Sequence, residues 1–299
     1  MLARMSTETT ASRLFHQAKA RPDAPAYFVK AGGDWKKTTY AEYGKQVKAA
    51  AKSMMALGLS AGSTVCILGF NRPEWAIFDV AAIAAGAAPA GIYTTSSPEE
   101  VQYIIHHAES PLVLVEDETQ WAKVKSQQDK LPLLKRVIFM RGAPKVDDPL
   151  AMTWEAFLEA GKDVADDLLD ERQAAIEPDG LATLIYTSGT TGPPKGVMLS
   201  HRNLTWTAEA AIEVTRGGPE EVSLSYLPLS HIAEQMFTLH GPIQMGSSVY
   251  FAESVEKVAD NLKEVQPTLL FGVPRIWEKL HAGISAKLSE AKGVKLAIV

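Results

Sequence analysis

An α/β fold carrying a largely parallel sheet is what this sequence predicts, and three observations lead there. Helical and extended patterns alternate along the chain, short apolar runs such as residues 64–70 and 112–115 read as buried strands, and 46% hydrophobic with 22% charged residues is a globular composition. Across 299 residues that is enough to bury one large core or two smaller ones.

The elements can be justified in order. Residues 1–10 contain no apolar stretch of signal-peptide length and read as a frayed tail. Extended residues 26–30 and 35–38 flank Ala31-Gly32-Gly33-Asp34, so an antiparallel hairpin is expected to open the fold. Thr39 and Glu42 form a capping box ahead of Tyr43, Val47, Ala50, Ala51, Met54 and Leu57, which recur at helical spacing until Gly58. Residues 73–85 are apolar nearly all round and predict a buried helix; Asp79, Gly86, Pro89 and Gly91 punctuate residues 76–93 too often for a membrane span. Ser97, Pro98 and Glu100 start the next helix, whose Val101, Ile104, Ile105 and Ala108 share a face; His106 and His107 read as solvated positions. Residues 112–115 and 137–140 read as strands with a helix between them.

Residues 141–179, rich in Asp, Glu, Pro and Gly around a helical 154–160, mark a division into sub-domains 1–175 and 176–299. A formal charge of -5 gives no long-range attraction to phosphate backbones, so nucleic acid is not an expected partner. One cysteine, Cys66, allows no intrachain disulfide and reads as a structural thiol in a reducing cytoplasm.

The chemistry concentrates between the apolar runs 181–186 and 197–200. Here Thr187, Ser188, Thr190 and Thr191 offer four hydroxyl donors; Gly189, Gly192 and Gly196 keep side chains out of the way of a bulky anion; and Lys195 adds a compact positive charge behind Pro193-Pro194. A triphosphate is the natural ligand, against the plainer reading of a hydroxyl-rich turn with a surface lysine. The spacing is neither that of a Walker A loop nor Gly-x-Gly-x-x-Gly, because Gly189 is followed five residues on by Pro194 and no helix opens on a Gly-Lys-Ser/Thr.

Residues 186–196 resemble the signature of the adenylate-forming superfamily of acyl-CoA synthetases, luciferases and peptide-synthetase adenylation domains. Four further runs are similar to the long- and very-long-chain fatty acyl-CoA synthetases of the bubblegum branch: residues 69–75, 91–98, 225–231 and 271–279. The resemblance covers nearly the whole chain and implies the N-terminal domain of that fold, with mostly parallel sheets flanked by helices. It implies ATP, Mg²⁺ and coenzyme A, with a fatty acid carboxylate attacking the α-phosphorus to give acyl-AMP and pyrophosphate before the coenzyme A thiolate displaces AMP. By position, Thr187, Ser188, Gly189, Thr190, Thr191, Gly192 and Lys195 inherit phosphate contacts, and Thr187 a Mg²⁺ contact. Preorganised donors and Mg²⁺ would supply the charge neutralisation such an attack needs.

Val222 to Leu227 reads as a strand ended by Pro228, and His231 opens a segment with Ile232, Gln235, Met236 and Leu239 at helical spacing. Taken alone, such a histidine is a local hydrogen-bonding residue; the resemblance makes His231 a positioning residue for the carboxylate and α-phosphate. Gln235 stands where some long-chain relatives carry a gating tryptophan, which argues against a Trp-type gate. Residues 274–277 open an amphipathic helix in which Trp277 is expected in the core, and the resemblance puts Arg275 near the acyl site.

The family's adenine loop, its Mg²⁺-binding glutamate, its ribose-binding aspartate and its C-terminal domain with the catalytic lysine have no counterpart in these 299 residues, and residues 295–299 read as cut through an element. The chain alone is therefore expected to have little or no adenylation activity. Two alternatives stand: an aryl-CoA ligase or peptide-synthetase adenylation domain on the same fold, and a truncated non-catalytic protein that binds nucleotide or a partner. Peripheral association at the inner membrane face would suit a lipid substrate although no strongly basic amphipathic helix demands it, and a homodimer is left open.

Overall fold

The structure is a computed structural model describing residues 8–187 and 192–289. The loop positions Ser188, Gly189, Thr190 and Thr191, the tail 1–7 and the run 295–299 lie outside the described residues. Met1–Thr268 form one compact unit and Leu269–Val299 a second.

The first unit opens with α1 (Thr10–Ala20), β1 (Pro25–Ala31), β2 (Asp34–Thr39), α2 (Tyr40–Ala56), β3 (Thr64–Leu68), α3 (Pro73–Ala84), β4 (Ala88–Ile92) and α4 (Pro98–His107). There follow β5 (Leu112–Val115), α5 (Glu118–Ser126), β6 (Arg136–Phe139), β7 (Ala151–Thr153), α6 (Trp154–Ala160), α7 (Asp166–Ala174), β8 (Leu181–Thr187), β9 (Lys195–Ser200) and α8 (His201–Thr215). It closes with β10 (Val222–Ser225), α9 (Ile232–Gln235), a π turn over Met236–His240, α10 (Gly241–Met245), β11 (Ser248–Phe251) and α11 (Val258–Val265).

Seven strands form one sheet in the order β7-β6-β5-β3-β4-β8-β9, parallel throughout except for the antiparallel edge pair β8–β9. A second sheet, β10-β11-β1-β2, joins the expected opening hairpin to strands from late in the chain. The hydrogen-bonded sheets thus run across the 175/176 division: β8 pairs with β4, and β1 with β11. Alternation of side chains along the large sheet builds a core on each face. Val65, Ile67, Leu112, Leu114 and Ile138 pack under α2 and α3, while Cys66, Leu68, Val113, Val115, Val137 and Phe139 pack under α4 and α5. Cys66 is fully buried and burial pushes its thiol up to about 12, which suits a structural role.

The expected caps form. Thr39 and Glu42 exchange bonds of 2.7 and 3.2 Å at the start of α2, and Ser97 and Glu100 bonds of 2.9 and 3.2 Å at the start of α4.

The start of the chain departs from expectation. A helix, not the hairpin, is the first described element: Thr9 caps α1, and Thr9 and Thr10 are buried rather than frayed. The reason is long-range. Thr10 Oγ1 lies 2.8 Å from His240 Nδ1, Gln17 Nε2 donates to Ile243 O at 3.1 Å, and Arg21 Nη1 donates to Gly246 O at 2.6 Å. From α2, Tyr40 OH donates toward Pro242 O and Ser247 O at 3.0 and 2.7 Å. This grip satisfies carbonyls around the π turn and α10, a segment whose helix pattern is irregular.

The second unit consists, as described, of a lead-in and α12 (Pro274–Ser289). Its Trp277 is 48% exposed rather than core, with the indole N–H turned back onto Gly272 O at 2.8 Å. That bond staples the start of the helix and leaves the ring outside. Arg275 lies in the first turn, exposed.

Candidate active site

In an open parallel sheet, ligands bind beyond the carboxyl ends of the strands. Strand β8 ends there at Thr187, and the chain returns as β9 with Tyr186 opposite Gly196 and Thr187 opposite Lys195. Thr187 and Lys195 thus face each other at the mouth of the hairpin, both exposed. Among the described residues Lys195 forms no ion pair, so its charge is unspent within the fold. Gly192 has φ +89° with nothing among the described residues near the position a Cβ would take, a left-handed turn on the return arm. A hydroxyl, an ammonium and an unobstructed backbone form a donor set suited to phosphate oxygens, and the hydroxyl is the kind of hard oxygen ligand Mg²⁺ accepts.

Below the mouth the hairpin is packed. Tyr186 is buried, and its ring lies against Gly196, where a Cβ would meet Cζ at 3.3 Å and the hydroxyl at 3.5 Å. The Tyr186 hydroxyl is 2.8 Å from His107 Nδ1 on α4, so His107, although exposed, is not simply a solvated helix position. Burial pushes the Tyr186 hydroxyl above its ordinary value.

The second constellation arrives at the same end of the sheet through a close backbone approach. Gly91 pairs with Ile185 of β8, and a Cβ on Gly91 would sit 2.7 Å from Ser230 Cα. Only glycine lets the 225–231 segment rest on β4 here, one strand from the hairpin. His231 follows as the N-cap of α9, exposed, its Nδ1 accepting from Ala233 N at 3.1 Å.

A buried clasp holds that segment. Asn71 Nδ2 donates to Ser225 Oγ and Leu227 O at 2.8 and 2.7 Å, and Leu229 N donates to Asn71 Oδ1 at 3.2 Å. Glu234 Oε1 accepts from Ser225 Oγ, Tyr226 N and Thr238 Oγ1 at 3.0, 3.0 and 2.9 Å. Burial pushes the Glu234 carboxyl up to about 8 despite these donors. Gln235 is fully buried; its Nε2 donates to Leu229 O at 2.9 Å, while its Oε1 has no partner among the described residues.

The structure therefore brings together three of the four runs singled out in the sequence, and sets them beside the hairpin: Asn71 and Gly91 both hold the segment that ends in His231. Asn71, Glu234 and the His107–Tyr186 contact were missed as functional residues. Asn71 and Gly91 lie inside the runs 69–75 and 91–98, where an amide just after an apolar run and a glycine within a strand are sequence signals. His107 and Glu234 carried none, because their partners are set by tertiary packing.

The AMP-binding enzyme family matches residues 14–298. The long-chain-fatty-acid–CoA ligase ACSBG2 of Xenopus laevis is 42% identical over 280 residues, covering 91% of this chain and 38% of that protein. ACSBG1 of Homo sapiens, of the same description, is 40% identical over 279 residues, with the same shares covered. The chain thus spans about 38% of the length of these curated relatives. Among solved structures, the A-PCP didomain of carboxylic acid reductase from Segniliparus rugosus in complex with AMP aligns with a TM-score of 0.81 at 20% identity, over 99% of this chain and 47% of that one. The anthranilate CoA ligase AuaEII in complex with anthranoyl-AMP aligns at 0.77 and 19% identity, over 88% and 49%. These likenesses establish the fold, and the family match over nearly all the chain establishes its membership: the chain belongs to the AMP-binding enzymes.

Proposed function

We propose that the protein carrying this chain activates a long-chain fatty acid with ATP, giving acyl-AMP and pyrophosphate, and then transfers the acyl group to coenzyme A. The observation that carries this reading is the β8–β9 hairpin, whose exposed Thr187 and Lys195 stand opposite each other at the carboxyl end of the sheet. Support for the acid comes from the relatives, which bear the name long-chain-fatty-acid–CoA ligase.

In this reading Lys195 neutralises charge on the β- and γ-phosphates, and Thr187 and Gly192 contribute with Ser188, Gly189, Thr190 and Thr191 to the cradle. Thr187 also provides an oxygen for Mg²⁺, which when bound offsets the negative charge of the polyphosphate. His231 orients the carboxylate and α-phosphate from the N-cap of α9. Gln235 acts from inside, holding the Leu229 carbonyl two residues before the loop turns to His231. Arg275 is assigned to the acyl side by resemblance alone. Among the described residues no helix is long and apolar enough to cross a membrane, so any attachment through them at the inner membrane face is peripheral in this reading.

Acid-dependent ATP–pyrophosphate exchange tests the proposal, using a panel of long-chain fatty, aryl and amino acids. Exchange stimulated by the long-chain acids is expected from the protein that carries this chain. The 299 residues alone are expected to exchange weakly, since they span about 38% of the relatives. Preference for an aryl or amino acid would replace the substrate assignment, and nucleotide binding without exchange by any acid would favour a non-catalytic role.

A further inference from the structure

The phosphate-loop hairpin is braced from outside by one exposed side chain. His107, at the last position of α4, is sandwiched: Tyr103 stacks on it with centroids 5.4 Å apart at 25°, and Tyr186 meets it edge-on at 5.8 Å and 84°. Its Nδ1 and the Tyr186 hydroxyl are within hydrogen-bonding distance, across 79 residues of sequence. Tyr186 is otherwise enclosed, and its ring is the floor on which Gly196 rests. Gly196 is bonded directly to Lys195, the first residue of β9 after the turn.

We propose that His107 is a positioning residue for the phosphate loop: by holding the Tyr186 hydroxyl it fixes the ring beneath Gly196, and with it the arm that presents Lys195 to a polyphosphate. This rests on the phosphate-binding reading of the hairpin. Tyr186 and Gly196 are partners in the ladder, and the ring lies close enough that a Cβ on Gly196 would meet its Cζ at 3.3 Å, so a turned ring would press on that arm and shift the adjacent lysine. A hydrogen bond with a stacked partner suits such a device, since it sets ring orientation without occupying the ligand's side of the loop.

The probe is inorganic tripolyphosphate, titrated by calorimetry into the 299-residue chain and into H107A, H107N, Y186F, the double variant H107A/Y186F and K195A, each checked for folding by circular dichroism. The unsubstituted chain is expected to bind, K195A to lose at least tenfold in affinity, and H107A and Y186F to lose about three- to tenfold, the net worth of one hydrogen bond. Because both remove the same bond, the double variant should be no weaker than the worse single variant, and H107N, whose amide reaches the same hydroxyl, should recover most of the loss. A purely structural role would lower the melting temperature without that non-additivity or rescue. If H107A binds tripolyphosphate as the unsubstituted chain does while K195A does not, the positioning role is overturned and the phosphate reading stands. If the unsubstituted chain does not bind, both fall.

Discussion

The hairpin carrying Lys195 and the loop carrying His231 reach the same end of one sheet by opposite means. At the hairpin mouth Thr187 and Lys195 are exposed and Lys195 forms no ion pair among the described residues, with Tyr186 and Gly196 packed below. The His231 loop is clamped: Asn71 and Glu234 together satisfy Ser225, Tyr226, Leu227, Leu229 and Thr238, and Gly91 receives Ser230 at backbone contact. The difference teaches where each part's free energy goes. Groups left unsatisfied by the fold are available to a ligand, whereas groups satisfied inside it fix a geometry.

Substitutions in the clamped region should therefore cost stability, and the largest loss is expected from Asn71→Leu. It strands the buried Leu229 N and the part-buried Leu227 O and takes one of its two partners from the Ser225 hydroxyl, together a cost of about 3 kcal/mol in urea unfolding. A loss under about 1 kcal/mol would mean that the clasp does not hold the loop. Next comes Gly91→Ala, whose new methyl would meet Ser230 backbone; about 2 kcal/mol is expected, together with a displaced His231. Unchanged stability there would show that the 225–231 segment has room to move.

A smaller effect should appear in the pH dependence. Burial raises the carboxyls of Glu234 and Asp79 to about 8, so the folded state binds more protons than the unfolded chain from the ordinary carboxylate range up to about pH 8. Stability contributed by these protonated groups is lost as pH rises through that window. The buried His201 and His240, lowered to about 4 and about 3 from 6.5, work oppositely, but only below about pH 6.5. Between pH 6.5 and 8 unfolding free energy should therefore fall by about 1.6 kcal/mol for each carboxyl, and Glu234→Gln should remove about half of the decline. A flat profile in the unsubstituted chain would mean that the donors around Glu234 keep it ionised.

Much of this architecture was legible because it is written locally. The capping boxes at Thr39 and Ser97, the glycine hairpin and the apolar strands depend on residues within one or two turns of each other, and all form as read. What escaped depends on distance. Helix α1 begins with a Thr9–Ser12 pair instead of an acidic capping box and is held by residues 240–246; α8 uses Asn203 in the same way. Strand β7 is three residues long and takes its identity from β6 beside it. The hairpin's hydroxyls, glycines and lysine were visible in composition, while the clasp was not, since a glutamate at position 234 is ordinary until Asn71 and Ser225 are folded against it.

The smallest effect on stability, and the largest on chemistry, should belong to Lys195→Ala. The most direct test measures melting temperature and fatty-acid-dependent pyrophosphate exchange together, in the protein carrying this chain with and without that substitution. An unchanged melting temperature with exchange reduced at least tenfold is the expected result, as for a charge the fold leaves free for phosphate. Exchange that survives intact, or a melting temperature that collapses, would contradict it.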